Sequence, residues 1–481
     1  MLTLADILEA LTNLRPLWAD NLVITEADID SRQVIPGSMF VALPGERVDG
    51  HNFIEDAFKH SASFAVIQRQ DAASVPVLDL RDVEDSRRFL TQSAAPFDIN
   101  QPFCVLVDNA LHALQKAARY WRRKLDVRVI GITGSVGKST TKELVAEILS
   151  QRYRTLKNPG SYNNEIGLPL TILSLTEGHE RAVLEMGFYV SGEISFLCDL
   201  ALPQVGVLTN IGTVHAERAG SIEAIVAGKT ELVQALPAAP EGIAVLNYDD
   251  PYVREMASNT KAQVFTYGLD PEADLWADNV EGFGLEGIRF QLHYEGEVLH
   301  LRVPLIGRHS VHTALRAASV GLVEGLTWQE IVRGLRAGTT QLRLVAVKAD
   351  SGAIILDDTY NASPQSTLAA LNLLDELEGH KIAVLGDMLE LGPYEEQGHE
   401  IVGLRAAEVV DELVCVGPRA SMIGSAARKA GFPQDSIVHF DETLQTVNYL
   451  QSRLTTGDVV LIKGSRGMAM DRIVASLESH K

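Results

Sequence analysis

Residues 133–140 read Thr133-Gly134-Ser135-Val136-Gly137-Lys138-Ser139-Thr140, and of all stretches in the chain their types and spacing specify chemistry most directly. The two glycines permit tight turns, so the backbone N–H groups of Gly134, Ser135, Val136, Gly137, Lys138, Ser139 and Thr140 can converge on an anion. Lys138 has the charge and reach for the outer phosphates of a nucleotide, and the Ser139 hydroxyl is a suitable hard oxygen donor for Mg2+. The common spacing of such loops puts a glycine at position 132, where this chain has Ile132, so the loop is a variant. An ordinary glycine-rich strand–helix turn has the same outline. The Lys-Ser pair and its flanks favour phosphates, and Mg-ATP is the expected ligand.

Three further positions carry groups that could act beside phosphates. Glu185 closes the apolar run 182–186, where a carboxylate at a strand end is a good Mg2+ ligand. His215 follows Leu208-Thr209-Asn210-Ile211-Gly212 and could ligate a second metal. Taken alone, each is more often a satisfied polar side chain than a ligand. Lys229, in Ala227-Gly228-Lys229-Thr230-Glu231, reads on composition as a solvated helix lysine. Cys104, Cys198 and Cys415 are too scattered for a metal knuckle or a disulfide framework, which fits a reducing, cytoplasmic setting.

The elements that must position these groups follow from apolar runs alternating with amphipathic stretches, an α/β pattern with parallel sheet. The strand 127–132 leads into the phosphate loop, and a helix over 142–150 leaves it. Further strands are expected at 205–209, 244–247, 381–386, 412–417 and 459–463, with ligands at their carboxyl ends. A chain of 481 residues suggests about three domains. Junctions are expected at 92–102, which holds Pro96 and Pro102, and at 336–342, where Gly338-Thr339-Thr340 interrupts a helical pattern. The net charge of −21 argues against a general nucleic-acid binder. Residues 1–18 are amphipathic and carry Asp6 and Glu9, so they do not read as a signal peptide, and no apolar run suits a bilayer.

Taken together, the motifs resemble those of the Mur ligases, ATP-dependent amide ligases of peptidoglycan synthesis. The resemblance is carried by the loop 133–139; by Asn163-Asn164-Glu165-Ile166-Gly167-Leu168-Pro169; by Glu185-Met186-Gly187 with Gly192-Glu193-Ile194; and by Thr209-Asn210-Ile211-Gly212 with His215 and Lys229. It continues through Asp357-Asp358-Thr359-Tyr360-Asn361-Ala362-Ser363-Pro364, Gly386-Asp387-Met388-Leu389-Glu390-Leu391-Gly392 and Lys463-Gly464-Ser465-Arg466. At the other end, Asp30-Ser31-Arg32, Gly45 and Asp49-Gly50-His51 look like a UDP-sugar domain.

The resemblance implies three domains: a small α/β UDP-sugar domain at 1–106, a central phosphate-loop parallel-sheet ATPase domain at 107–338 and a Rossmann-like ligase domain at 339–481. Its C-terminal motifs imply addition of D-alanyl-D-alanine to a UDP-N-acetylmuramoyl-tripeptide through an acyl phosphate, by a cytoplasmic monomer that binds neither nucleic acid nor membrane. Lys138, Lys229 and His215 would be catalytic, and Ser139, Glu185 and His215 would hold two Mg2+ ions. Asn164, Arg343, Asp358 and Tyr360 would join the loop in contacting ATP, and Ser31, Arg32, Gly45, His51 and Asn361 would contact substrate. The family's matching lysine is carbamylated by CO2, which requires that Lys229 be a neutral amine. Two departures stand out. Ser310 and Thr313 occupy positions where the family has asparagines at the adenine end, and the linker's Gly-Arg element reads Leu342-Arg343. Besides another Mur-type ligase, against which Tyr360-Asn361-Ala362 argues, the rival readings are a folylpolyglutamate-type ligase, a weakened Mur-like partner protein and a plain phosphate-loop NTPase. The first does not explain residues 30–51, the second need not keep the reactive set, and the third does not explain Tyr360-Asn361-Ala362.

Overall fold

The computed structural model describes residues 1–45, 48–70, 74–213, 216–337 and 345–479. Among the described residues the strands form three sheets. The first holds β1 (Ala27–Asp28), β2 (Met39–Val41), β3 (Phe64–Ile67), β4 (Val77–Asp79) and β5 (Phe103–Leu106), all parallel, in the order β1-β2-β3-β5-β4. Phe40, Ala42, Ala65, Ile67, Cys104 and Leu106 pack one of its cores against Ile54 and Ala57. The polar stretch 92–102 leads into β5 of this same sheet.

The second sheet is built around the phosphate loop. Its strands are β6 (Arg128–Thr133), β7 (Thr155–Lys157), β8 (Arg181–Glu185), β9 (Val205–Leu208), β10 (Ile243–Asn247), β11 (Gln263–Gly268), β12 (Leu275–Gly282), β13 (Ile288–Tyr294) and β14 (Glu297–Val303). They lie in the order β14-β13-β12-β11-β10-β9-β6-β8-β7. The expected parallel strands are present, and an antiparallel meander, β12 to β14, extends them. The meander has a local cause. Glu295 and Gly296 both adopt positive φ, 47° and 83°, which closes a two-residue hairpin between Tyr294 and Glu297. Helices Val311–Val323 and Trp328–Arg336 cover the phosphate-loop helix Lys138–Leu149 at glycines. A Cβ on Gly334 would stand 2.6 Å from the Ile148 Cα, so the backbones approach closely there.

The third sheet holds β15 (Val345–Lys348), β16 (Ile354–Asp358), β17 (His380–Gly386), β18 (Glu412–Val416), β19 (Ile437–Phe440) and β20 (Asp458–Lys463), ordered β15-β16-β20-β17-β18-β19. It is parallel except for β15. Leu356, Ala383, Leu385, Leu413, Cys415 and Leu461 pack under one set of helices. Their chain neighbours Ile355, Ile382, Val384, Val414, Val416, Val460 and Ile462 pack under the other. Both faces are buried, which is why these strands read as unbroken apolar runs.

By compactness the chain forms two units, one of Met1–Gly131, Tyr153–Gly187 and Glu193–Val205, the other of Ile132–Arg152, Phe188–Gly192 and Gly206–Lys481. The first contains the five-stranded sheet with β7 and β8. The second contains the phosphate loop, β10 to β14 and the entire third sheet. No helix among the described residues is long and apolar enough to cross a membrane.

Candidate active site

The phosphate loop owes its shape to backbone that only glycine tolerates well. Gly134 sits at φ +140°, and Gly137 at φ +85° caps the helix Lys138–Leu149. The helix therefore opens at Lys138, four residues earlier than the sequence pattern suggests, and takes Lys138, Ser139 and Thr140 into its first turn. That turn has no preceding carbonyls for its N–H groups and carries the positive end of the helix dipole.

The segment Thr209-Asn210-Ile211-Gly212 proves to be a brace for the loop. Ser135 N–H donates to Asn210 O at 2.9 Å, and Val136 N–H donates to Asn210 Oδ1 at 3.0 Å. Asn210 Nδ2 returns a bond to Val136 O at 3.1 Å, and Gly212 N–H donates to Ser135 Oγ at 2.8 Å. This corrects one expectation: the amides of Ser135 and Val136 are committed to Asn210 rather than turned toward an anion. Lys138 Nζ donates to Gly134 O at 2.8 Å and to Ser135 O at 3.2 Å, which holds the ammonium against its own loop.

Ser135, Val136, Gly137 and Thr140 line a cleft together with Ser310, Thr313, Asp358, Asn361 and Lys463. The tertiary structure thus gathers the loop, the two positions that depart from the family pattern and the end of β16. Ser310 Oγ donates to Ile306 O at 2.6 Å, so its hydroxyl keeps only acceptor capacity for a ligand. Lys463, at the end of β20, is buried and donates to Asp358 Oδ2 at 2.6 Å and to Asn361 O at 2.8 Å. Asp358 therefore enters the cleft as half of an ion pair. Tyr360 stands outside that lining, 38% exposed, with the Arg466 guanidinium 5.7 Å from its ring centre. Arg343 and His215 fall outside the described residues.

Lys229 is not the solvated residue its composition suggests. It lies 1% exposed within the helix Ile222–Gln234, its Nζ 4.9 Å from the centre of the Phe188 ring. Burial first, and the charge of Lys138 second, hold its ammonium well below the usual lysine range.

Glu185 is likewise buried, and its carboxylate accepts from Asn163 Nδ2 at 2.9 Å. Asn158 clamps the Glu185 backbone from both sides, accepting from its N–H at 2.9 Å and donating to its carbonyl at 3.2 Å. Asn164 Oδ1 accepts at 2.9 Å from the N–H of Gly167, the first residue of the helix Gly167–Leu173. A carboxylate fixed in this way is a hard oxygen donor of the kind Mg2+ takes. Among the described residues no group of three or more His, Cys, Asp or Glu side chains is gathered as a metal cage.

The positions expected to meet the sugar substrate belong to the first sheet's surroundings. Ser31 is buried, and Arg32 is exposed with its guanidinium on Asp30 at 2.6 Å. A Cβ on Gly45 would lie 2.7 Å from Val48 O, so that turn requires glycine. His51 is buried with both ring nitrogens engaged: Nδ1 lies 2.7 Å from Asp49 Oδ1, and Nε2 accepts from Gln68 N–H at 3.1 Å. That pairing locks the ring as an internal strut.

Lys463, placed by sequence only within a motif, and the buried Arg316 are residues to which sequence reasoning gave no role. Each had a signal: a lysine ending an otherwise apolar strand, and an arginine in the apolar middle of the helix Val311–Val323.

Comparison with known proteins matches the pattern of the Mur ligase middle domain over residues 132–321. The Mur ligase glutamate ligase domain matches over 342–466, and the Mur ligase family catalytic domain over 23–97. The UDP-N-acetylmuramoyl-tripeptide–D-alanyl-D-alanine ligase of Bacillus subtilis (strain 168) is 35% identical over 465 residues, covering 95% of this chain and 94% of that protein. A crystal structure of MurF from Acinetobacter baumannii superposes with a TM-score of 0.79 at 29% identity, covering 98% of both chains. MurF ligase from Thermotoga maritima, in complex with ADP, superposes with a TM-score of 0.75 at 27% identity, covering 95% of this chain and 97% of that one.

Proposed function

The chain belongs to the Mur ligase family, and from that premise we propose that it joins D-alanyl-D-alanine to a UDP-N-acetylmuramoyl-tripeptide, driven by ATP. The observation that carries this reading is the cleft in which phosphate-loop residues meet Asp358, Asn361 and Lys463. A phosphate loop alone serves many reactions. One facing the Asp-Thr-Tyr-Asn element of a ligase domain suits transfer of the γ-phosphoryl group to a carboxylate.

The chemistry starts from a poor electrophile. The tripeptide carboxylate attacks the γ-phosphorus, a C–O–P bond forms, and ADP leaves. The D-alanyl-D-alanine amine then attacks the acyl carbon through a tetrahedral intermediate, phosphate departs, and the amine proton is released. The protein's part is positioning and charge neutralisation. Lys138 and the first turn of the phosphate-loop helix orient the phosphates. By the family resemblance, Ser139 and Glu185 would hold Mg2+, with His215 for a second ion, and the metal would offset the repulsion between carboxylate and phosphates. Lys463 fixes the Asp358 carboxylate at the cleft wall.

Lys229 is the residue to be carbamylated. Its neutral amine is the form that adds CO2, forming an N–C bond and releasing a proton, and the resulting anion would support a second metal as a carboxylate does. Burial and the nearby charge of Lys138 support this role. Lys229→Ala is expected to lose most activity and to recover part of it with added short-chain carboxylates. Wild-type activity in Lys229→Ala would end this assignment.

We further divide the chain at 1–106, 107–338 and 339–481. The end of the first sheet at Leu106 and the start of the third at Val345 support those limits. The enzyme works as a cytoplasmic monomer supplying wall precursor, on which cell shape and division depend. The deciding experiment measures phosphate release from Mg-ATP with UDP-N-acetylmuramoyl-tripeptides, carrying lysine or diaminopimelate, with and without D-alanyl-D-alanine. Release that requires both substrates is expected, and release indifferent to either would refute the proposal.

A further inference from the structure

The helix Val311–Val323 contains one Lys, Arg, Asp or Glu, and that residue, Arg316, is 3% exposed. Its Nε donates to the Tyr267 hydroxyl at 2.6 Å, and its Nη1 donates to Thr141 Oγ1. Both partners are neutral, and each passes its own proton to a backbone carbonyl of the site. Thr141 Oγ1 donates to Gly137 O at 2.7 Å, and Tyr267 donates to Leu208 O at 2.9 Å. Arg316 Nη1 also lies 3.4 Å from where a Cβ on Gly137 would stand. Among the described residues Arg316 forms no salt bridge.

A buried guanidinium without a carboxylate is costly, and similarly sized apolar side chains often do as well or better at such places. If packing were its only role, a methionine would serve. The charge gains a purpose from its location, one hydroxyl away from the turn that would receive phosphates. We propose that Arg316 is a positioning residue for the nucleotide: it ties the first turn of the phosphate-loop helix to β9 through Thr141 and Tyr267, and its unmatched charge joins that of Lys138 in favouring a polyphosphate. The inference rests on the nucleotide reading of the loop.

The test is calorimetric titration of the full-length protein with ADP and with AMP, comparing wild type, Arg316→Met and Arg316→Lys. Arg316→Met is expected to weaken ADP binding ~10-fold while AMP binding changes less than ~2-fold. Arg316→Lys, which keeps the charge, should retain the ADP preference within ~3-fold. A wild type that does not bind ADP would remove the nucleotide reading itself. A wild type that binds ADP, beside an Arg316→Met variant with an unchanged ADP-to-AMP ratio, would overturn this inference alone. If Arg316→Met does not fold, Thr141→Val decides, since it cuts the tether without touching a charge. A reduced ADP preference supports the proposal, and an unchanged one overturns it.

Discussion

Replacing Gly134 with alanine places a defined load on the phosphate loop. A Cβ there would overlap Thr209 Oγ1 and lie 2.9 Å from Thr209 Cβ and 3.0 Å from the Thr209 backbone nitrogen. Two of those atoms are fixed by the backbone at the tip of β9, so a rotamer change cannot make room. The position also sits at φ +140°, where an L side chain adds strain of ~1–3 kcal/mol. Overpacking adds a further ~1–3 kcal/mol. The loop can escape only by moving off Thr209, and that breaks the bonds from Ser135 and Val136 to Asn210. If about half of the combined load, ~2 kcal/mol, appears in nucleotide binding, the ADP dissociation constant rises ~30-fold. Titration calorimetry with ADP reads this directly. Gly431→Ala is the control: it has positive φ of 94° but nothing within 4 Å of its Cβ, and it should leave ADP affinity unchanged. Adding Thr209→Ala to Gly134→Ala removes the overlapping oxygen and should recover part of the loss. ADP affinity within ~3-fold of wild type in Gly134→Ala would refute this account of the loop.

Two further outcomes are expected. Lys463→Met strips a buried cation from Asp358, which should lower stability by ~3 kcal/mol, while adding Asp358→Asn should recover most of it; chemical denaturation of the three variants measures the pair. Asp6 is held at about 2: burial pushes its carboxyl up, but Lys124, Arg15 and Thr3 outweigh it. Because the folded value lies below the ordinary one, its stabilisation is complete above pH ~4 and is lost as pH falls toward ~2, an effect of ~2 kcal/mol. Asp6→Asn should therefore be less stable at pH 7 and lose less on acidification; an acid dependence equal to wild type would contradict the assignment.

Much of the architecture was legible locally. The ends of the strands leading to the loop, to Asn247, to Gly386 and to Lys463 agree with the apolar runs within a residue or two, because both faces of these strands are buried and no alternation blurs the run. The antiparallel meander was not foreseen, although its Glu295-Gly296 turn and the alternation Ile288-Arg289-Phe290-Gln291-Leu292 were in plain sequence. The loop's chemistry was legible for the same local reason: a glycine-rich turn, a lysine and a hydroxyl act on a phosphate within a few residues of one another.

What lay beyond the sequence depends on surroundings supplied by distant chain. Composition gave Lys229 as a surface residue, yet the Phe188 ring and the enclosing helix remove it from water, and desolvation is a sum over everything nearby. Asn210 takes two amides that the loop's own sequence assigns to a ligand. Lys463 becomes a site residue only by meeting Asp358, 105 positions away, and Arg316 only by reaching Thr141, 175 positions away. Residue type and spacing determined which groups could do the chemistry. Tertiary structure decided which of them are dry, which are paired and which face one cleft, because burial and electrostatic coupling are properties of the packed whole.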